Sequence, residues 1–435
     1  MALSQYYTPT EGGEYAFTVE APKIKFGVGA LREVGEDARA LGMSRVALFT
    51  DPRVAKLEPV AAVRESLAKA GIDAAVYDEV EVEPTDVSFK AGARFATEGK
   101  FDGFVSVGGG SVMDTGKSSN LYSSYPPDDF LAYVNAPIGQ ARPVEGPLKP
   151  HIACPTTFGT GSECTGLAIF DLLEMEAKTA VASPRIRPTL GVVDPDAIKT
   201  LPRGVVAANG LDVFSHAVES LTARPFTSRP APDAADMRPI AQGANPYSDI
   251  GCLEAIRLIG GNLVKAVNEE DRIEVRESLM FAGMLAGIGF GSAGCTLPHG
   301  MSYAVAGLVD NFMAEGWPQD HPMVPHGIAV IVNSPAVFRF TGSACPQRHL
   351  RAAEALGAEI EGVNKEPGEI LADKVIEIMR DTGIPNGLSG VGYSAEDIPR
   401  LTEKSWPQKR VIDNAPVKIT KEELSGLFRD ALAYW

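Results

Sequence analysis

The chain has 435 residues, a length that suits two or three domains, and 45% of them are hydrophobic against 22% charged. This composition excludes a disordered or collagen-like chain. Acidic residues outnumber basic ones by 56 to 40, and the formal net charge of −16 leaves no basic footprint for binding nucleic acid.

The first half of the chain alternates short β-rich runs with helical segments. Strands separated by amphipathic helices are typical of βαβ units and a parallel sheet, so residues 1–200 are predicted to form a doubly wound, Rossmann-like α/β domain. The predicted strands are 15–20, 23–27, 45–50, 74–80, 101–107 and 151–154, and the predicted helices are 30–42, 60–71 and 88–99.

The second half carries long apolar-periodic stretches without alternating β-branched runs, as in 204–221, 250–267 and 274–290. We therefore predict an all-helical domain over residues 201–435. Residues 222–249 interrupt it with a segment dense in Pro, Ala and Asp. Loops of this length inside a compact domain are often functional, and its arginines favour a cover near a site.

Gly108, Gly109, Gly110 and Ser111 follow the apolar strand 101–107 and precede a helical run. Backbone N–H groups at such a strand–glycine–helix junction can approach a pyrophosphate, although a tight turn is the alternative interpretation. Asp51 ends a strand one βα unit earlier, where a carboxylate either binds the adenosine ribose and disfavours NADP or caps a helix. We therefore predict an NAD site.

A second cluster of hydroxyls and glycines follows the strand 151–154. Such a segment either hydrogen-bonds a nicotinamide carboxamide or phosphate, or is a structural turn. Its candidate cofactor-binding residues are Thr156, Thr157, Thr160 and Ser162, to which we add Asp114 and Lys178.

Three of the six histidines of the chain, together with one aspartate, predict a metal site in the second half. Asp212 and His216 are spaced i, i+4 and share one helix face, where they hold an ion together or pair locally. His299 and His326 each stand in a Pro-His-Gly sequence, and His321 competes with His326 for the last position. One carboxylate and three imidazoles suit Fe²⁺ or Zn²⁺, with a position left for substrate.

Together these motifs resemble the iron-containing, group III alcohol dehydrogenase family. The resembling stretches are 108–117, 155–163, 193–195 and 212–220, with the His-Gly sites at 299 and 326, and the resemblance covers roughly residues 22–433. It implies an N-terminal Rossmann-like domain, a C-terminal helical domain, and a metal that faces the nicotinamide in the cleft between them. It also implies a homodimer or higher homo-oligomer.

Within that family the chain resembles the hydroxyacid-oxoacid transhydrogenase branch, in stretches such as 238–250, 286–294 and 321–327. The last two of the candidate ligand histidines, His299 and His326, are 27 residues apart, more than is usual in the family. Tyr303 occupies a position where many members have a proton-relaying histidine. The resemblance implies oxidation of 4-hydroxybutyrate coupled to reduction of 2-oxoglutarate, with NAD retained as hydride carrier. An ordinary NAD-dependent alcohol or ω-hydroxy-acid dehydrogenase, or a non-catalytic metal- or nucleotide-binding protein, remains an alternative.

Both implied substrates carry a carboxylate three carbon–carbon bonds from the reacting carbon, so one cationic clamp could hold either. Arg238 is the candidate clamp, because guanidinium binds carboxylate in a bidentate manner, with Asn245 as its companion; a surface arginine in a loop is the alternative interpretation.

The cysteines and the N-terminus bear on the location of the protein. Its five cysteines form no CxxC pair and are predicted to be reduced thiols. Residues 1–17 show no targeting pattern, and no stretch approaches the roughly 18 apolar residues of a membrane span. We therefore expect a cytoplasmic protein with no membrane partner.

Overall fold

The computed structural model describes residues 6–175, 177–269 and 272–435, which form two compact units. One unit is Glu20–Thr200, and the other joins the described part of residues 1–19 to Leu201–Trp435. The predicted division placed residues 1–19 in the α/β domain, which differs from the structure. The reason lies in contacts distant in sequence, because the hydroxyls of Tyr6 and Tyr7 donate hydrogen bonds to Ala223 O and to the Asp249 carboxylate.

The Glu20–Thr200 unit is built on a six-stranded parallel sheet in the order β1-β8-β5-β4-β2-β3, with a separate antiparallel hairpin β6-β7. This confirms the predicted doubly wound α/β fold. The strands are β1 Lys23–Phe26, β2 Arg45–Phe49, β3 Asp73–Tyr77, β4 Gly103–Gly108, β5 His151–Pro155, β6 Leu167–Leu172, β7 Ala177–Ala182 and β8 Leu190–Val193. The helices are α1 Val34–Ala40, α2 Glu58–Lys69, α3 Asp86–Gly99 and α4 Gly110–Ser124.

Both faces of the sheet are buried, as a doubly wound fold requires. Val46 and Leu48 of β2 pack with residues of α1 and α2 on one face, while Ala47 and Phe49 pack with residues of α3 and α4 on the other. From β2 the chain continues to β3 at one end of the strand order, and from β4 it continues to β5 in the opposite direction. Ligands of such sheets bind at the carboxyl ends of the two strands where the order diverges, here β2 and β4.

One predicted strand, 15–20, is absent. Glu14 accepts hydrogen bonds from the backbone N–H groups of Tyr15 and Ala16, and the side chain of Gln242 accepts one from the N–H of Thr18. Side chains therefore satisfy the backbone groups that a neighbouring strand would otherwise bind.

Helices and connecting loops make up the described part of the second unit, and all eight strands lie in the other unit, as predicted. The helices of the second unit are α5 Arg203–Thr222, α6 Pro246–Asn268, α7 Ile273–Ala293, α8 Leu297–Gly307, α9 His326–Ile331, α10 Ser334–Thr341, α11 Pro346–Ala355, α12 Pro367–Asp381, α13 Ile398–Ser405, α14 Lys409–Ile412 and α15 Lys421–Asp430. Most of α5 is buried, so this helix forms the centre of the unit and positions the residues described below.

In the described part of the chain, no single helix is long and apolar enough to cross a membrane. The pair α7 and α8 reaches that length and apolarity only when taken together, and it is bent by 104° between the two helices.

Candidate metal centre and cofactor site

The glycine-rich junction lies at the carboxyl end of β4, between the ends of β2 and β5. A Cβ atom on Gly110 would lie 2.7 Å from Thr160 Cγ2, and one on Gly109 would lie 3.3 Å from Thr157 Cγ2. Glycine is therefore needed where the segment after β5 packs against the junction. The junction ends at the N-terminus of α4, whose free N–H groups and dipole favour an anion.

Asp51 lies just beyond the carboxyl end of β2, the strand next to β4. Its Oδ1 accepts hydrogen bonds from the backbone N–H groups of Arg53 and Val54, at 2.9 and 3.0 Å. The structure thus shows the capping interaction that was the alternative interpretation. Asp51 also lies at the carboxyl ends of the strands, where a carboxylate that binds ribose is expected.

Three predicted cofactor-binding side chains have partners inside the α/β unit. Ser162 donates to Asp114 at 2.6 Å, and the fully buried Lys117 ammonium bonds both residues. Lys178 of β7 forms ion pairs with Glu83 at 2.6 Å and Asp171 at 3.1 Å. These contacts differ from the direct cofactor contacts predicted for Asp114, Ser162 and Lys178, because each charge or hydroxyl is already matched within the fold.

Ser111 and Thr156 complete the predicted cofactor set. The Ser111 hydroxyl accepts a hydrogen bond from the backbone N–H of Glu83 at 3.2 Å, and the Thr156 N–H donates to Gly108 O at 3.0 Å. Both contacts hold neighbouring segments against the glycine junction.

The four predicted metal ligands come together in the helical unit. Asp212 and His216 lie on α5, His299 lies on α8, and His326 is the first residue of α9. His216 Nδ1, His299 Nε2 and His326 Nε2 each lie 3.8 Å from the same atom, Asp212 Oδ1. One ligand atom from each of the four residues lies within 4.8 Å of the others.

This donor set fits a divalent cation. Atoms that bind one zinc or iron ion at about 2.0–2.2 Å lie about 3.3–3.6 Å apart in tetrahedral geometry, close to the spacing seen in this cluster. The Nε2 atom of His299 is buried without a hydrogen-bond partner among the described residues, and it lies near a carboxylate oxygen. A cation bound between them would interact with both His299 Nε2 and Asp212 Oδ1, which at 3.8 Å form no hydrogen bond with each other.

Packing explains why glycine follows each of the two later histidines. A Cβ on Gly327 would lie 2.2 Å from the Ala208 backbone oxygen, so only glycine lets α9 approach α5 this closely. A Cβ on Gly300 would lie 3.0 Å from Ile412 Cγ1. Gly327 thus brings α9 and His326 close to α5, whereas Gly300 lets α8 pack closely against α14.

Glu219 is a functional residue that the sequence analysis missed. Its fully buried carboxylate accepts hydrogen bonds from His299 Nδ1 at 2.6 Å, from Thr296 N at 2.6 Å and from Thr296 Oγ1 at 3.2 Å. Because a carboxylate only accepts, the imidazole proton lies on Nδ1, and the lone pair of Nε2 faces Asp212. The i, i+3 spacing of His216 and Glu219 was a usable signal, since it places both on one face of α5.

The side of the cluster at His326 is the more open one, since its side chain is 23% exposed against 5% for those of His216 and His299. The ring of His216 stacks on Phe290 at 4.1 Å between centroids. Tyr303 is half-buried one turn after His299 on α8, on the same helix face. His321 is exposed, pairs with Asp320 and lies outside the cluster.

The structure does not support the predicted substrate residues. Arg238 forms a two-point ion pair with Glu14, at 2.8 and 3.0 Å, so its guanidinium fork already holds a carboxylate of this chain. Asn245 is fully buried and caps α6, where its side chain accepts hydrogen bonds from the N–H groups of Tyr247 and Ser248. Arg238 therefore anchors residues 6–19, and Asn245 is a helix cap.

Comparisons with known proteins agree with this geometry. Residues 21–195 match the family model for iron-containing alcohol dehydrogenase, and residues 239–432 match the model for the C-terminal part of the Fe-containing alcohol dehydrogenase family. Among solved structures, a 1,3-propanediol oxidoreductase is similar with a TM-score of 0.83 and 29% identity, covering 96% of this chain and 100% of the other. An alcohol dehydrogenase from Oenococcus oeni is similar with a TM-score of 0.82 and 29% identity, with the same coverage.

Curated relatives are similar over almost the whole chain. The mitochondrial hydroxyacid-oxoacid transhydrogenases of Bos taurus and Homo sapiens are 47% and 46% identical over 421 residues, 96% of this chain and 90% of each relative. A probable mitochondrial hydroxyacid-oxoacid transhydrogenase of Dictyostelium discoideum is 41% identical and covers 99% of this chain and 82% of the relative. The names of these relatives place them in mitochondria, which overturns the cytoplasmic location expected from residues 1–17.

Two family models in order along the chain and relatives of more than 40% identity decide the assignment. The family uses a divalent metal and NAD(H) to act on small molecules, which accords with the acid–imidazole cluster and the glycine junction. The chain belongs to the iron-containing alcohol dehydrogenase family and is a metal-dependent oxidoreductase.

Proposed function

We propose that the protein is a hydroxyacid-oxoacid transhydrogenase. In this reaction 4-hydroxybutyrate is oxidised to succinate semialdehyde while 2-oxoglutarate is reduced to 2-hydroxyglutarate, and the cofactor carries the hydride between them. The names of the curated relatives support the substrate class. The observation that carries the chemistry is the cluster in which three imidazole nitrogens lie 3.8 Å from one Asp212 oxygen.

Each residue of the cluster has a distinct role in this proposal. Asp212, His216, His299 and His326 would hold the ion, and Glu219 keeps the His299 lone pair directed at it. When bound, a divalent ion supplies a Lewis acid for the alcohol or ketone oxygen of the substrate. Asp212, His216 and His299 are all buried, which limits the access of water to that position.

Tyr303 is proposed to take part in moving the proton of the alcohol. Its place one turn after His299 puts it on the side of α8 that faces the cluster, and it is half-buried. A tyrosine hydroxyl can both donate and accept a hydrogen bond, as a relay requires.

The glycine junction is proposed to bind the pyrophosphate of NAD through backbone N–H groups, with Thr156, Thr157 and Thr160 beside it. Asp51 supports NAD over NADP, because a carboxylate at the end of β2 repels a ribose phosphate. The donor set suits Fe²⁺ and Zn²⁺ alike. Reconstitution with each ion, and assays with each nucleotide, test these two choices.

The discriminating experiment uses metal-loaded protein with both acids and no added NAD. Matched formation of succinate semialdehyde and 2-hydroxyglutarate supports a transhydrogenase that retains its cofactor. A second candidate, a conventional alcohol dehydrogenase, is favoured by the similarity to a 1,3-propanediol oxidoreductase and an alcohol dehydrogenase. Under that candidate, products require added NAD, and NADH accumulates when 2-oxoglutarate is omitted.

We further propose that the protein is a homodimer or a higher homo-oligomer. The strand β1 lies at one edge of the six-stranded sheet and pairs only with β8 among the described residues, so one row of its backbone N–H and C=O groups can pair with a strand of another chain. Light scattering coupled to gel filtration measures the mass directly, and a monomer would contradict the proposal.

A further inference from the structure

The three arginines of residues 222–249 differ in how their charges are matched. Arg238 holds the Glu14 carboxylate through two hydrogen bonds. Arg224 and Arg229 have no ion-pair partner within 4.0 Å among the described residues. Two guanidinium groups of one segment are therefore available to an anion, and the third is not.

Burial makes this arrangement unfavourable without an anion. Arg224 is half-buried, and its Nε atom is buried with no hydrogen-bond partner in the described part of the chain. Arg229 donates one hydrogen bond, from Nη1 to Ala241 O at 2.7 Å. Burial lowers the pKa of Arg224, and burial together with the positive charge of Arg224 lowers the pKa of Arg229 to about 10. The two cations thus lie close enough to repel each other in a partly desolvated setting.

The carboxylates of this region do not neutralise the pair. Glu14 acts on Arg229 at a distance, but its oxygens are committed to Arg238 and to backbone N–H groups. Asp413 acts on Arg224 but forms no ion pair with it, and it is exposed to water. The local field therefore remains positive.

Hydrogen bonds connect the backbone at Arg224 to the turn that precedes α8, the helix on which His299 lies. The backbone N–H of Arg224 donates to Asn414 O at 2.9 Å. The Asn414 side-chain amide donates to Ala293 O and Cys295 O, both at 3.0 Å. Thr296, the next residue along, bonds Glu219 at the base of the metal cluster. The backbone at Arg224 is thus connected to the candidate metal centre through hydrogen bonds of the buried residues Asn414 and Thr296.

We propose that Arg224, with Arg229 beside it, binds the remote carboxylate of the hydroxy- and oxo-acid substrates, an inference that rests on the proposed function. In 4-hydroxybutyrate and in 2-oxoglutarate this carboxylate lies three carbon–carbon bonds from the reacting carbon, so one cationic site serves both. A guanidinium presents two parallel N–H groups to a carboxylate, and a partly desolvated one binds it more strongly than a hydrated one.

Butyrate is the probe, because it has the carboxylate of 4-hydroxybutyrate but no hydroxyl to react. Calorimetry on the metal-loaded protein measures its binding without turnover. Arg224→Gln is expected to raise the Kd for butyrate about 10–100-fold, since hydrogen bonds to charged groups contribute about 1.5–3 kcal/mol. Arg224→Lys retains the positive charge but not the two parallel N–H groups of the guanidinium. Its Kd for butyrate should therefore lie between those of the unmodified protein and Arg224→Gln.

Arg257→Gln is the control, because it removes an exposed arginine of the same unit whose charge Glu254 already matches, and it leaves Glu14 held by Arg238. Its Kd for butyrate should equal that of the unmodified protein. Arg229→Gln provides a second test if Arg224→Gln does not fold, as judged by thermal unfolding. The ratio of kcat/KM for 4-hydroxybutyrate over butan-1-ol should fall in step with butyrate affinity.

An unchanged Kd in folded Arg224→Gln and Arg229→Gln proteins would overturn the proposal, as would an equal loss of butyrate affinity in Arg257→Gln. Failure of the proposed function gives a different result. In that case butyrate still binds in an Arg224-dependent manner, but the two acids do not yield matched products.

Discussion

Replacing Glu219 by alanine tests whether the metal centre depends on a residue that acts on it through His299. The substitution removes the acceptor of three hydrogen bonds, from His299 Nδ1, Thr296 N and Thr296 Oγ1. Without it, the His299 ring can rotate or place its proton on Nε2. Either change removes a lone pair from the cluster.

The expected magnitude follows from the burial of this carboxylate. Loss of a buried hydrogen-bond partner of a metal-binding histidine costs about 10–100-fold in metal affinity, which is about 1.4–2.8 kcal/mol. The 2.6 Å contacts and the fully buried position of Glu219 place this residue among such partners. Glu219→Gln keeps one acceptor oxygen, but its NH₂ group must face either His299 Nδ1 or the two Thr296 donors, so an intermediate loss is expected.

The assay is a competition titration of metal-free protein with Zn²⁺ against a chromophoric chelator, which reads affinity without turnover. Thr222→Ala is the control on the same helix, because Thr222 is buried and its hydroxyl bonds the Val218 carbonyl of its own helix. It should lower the melting temperature and leave the Zn²⁺ affinity unchanged. Unaltered affinity in a folded Glu219→Ala protein would refute the reasoning.

Three further predictions concern the cluster and the α/β unit. His216→Ala should abolish metal retention, measured by elemental analysis after gel filtration, and activity together; a fully active variant would remove His216 from the ligand set. Gly327→Ala places a Cβ 2.2 Å from Ala208 O and should lower the free energy of unfolding by about 1–3 kcal/mol, as measured by denaturant titration. In the control Gly307→Ala the new Cβ meets nothing within 4 Å, so the free energy of unfolding should hardly change. Burial lowers the pKa of His151 from 6.5 to about 3, so as the pH falls below 6.5 the unfolded chain gains a proton that the folded protein does not. The free energy of unfolding should therefore decrease by up to about 1.4 kcal/mol for each pH unit of acidification, relative to His151→Gln. Urea titrations of both proteins at pH 7, 6 and 5 measure this, and an equal pH dependence in the two would contradict it.

Features with short-range signals could be read from the sequence. The glycine junction after β4 follows from an apolar run that passes directly into glycines, and the i, i+4 spacing of Asp212 and His216 needs only the geometry of one helix. Pairing these two residues with His299 and His326 relied on the repeated Pro-His-Gly sequence. At Gly327 the helices pack too closely for a side chain, and at Gly300 they are in tight contact.

Features that depend on distant partners could not be read in this way. Arg238 was a reasonable carboxylate clamp by residue type, but its partner Glu14 lies 224 residues away in the chain. Asn245 is by residue type either a polar ligand or a helix cap; the structure shows the cap, because its Oδ1 accepts hydrogen bonds from Tyr247 N and Ser248 N while its amide contacts the distant Ser292.

The sequence by itself determined the parallel α/β unit, the helical unit and four residues able to hold an ion, because periodicity and spacing are local properties of the backbone. The tertiary structure decided which polar side chains are already matched and which are not. Glu219 thus became a positioning residue, Arg238 an anchor, and Arg224 a cation without a partner carboxylate among the described residues, since charge pairing depends on what the completed fold brings within a few ångströms.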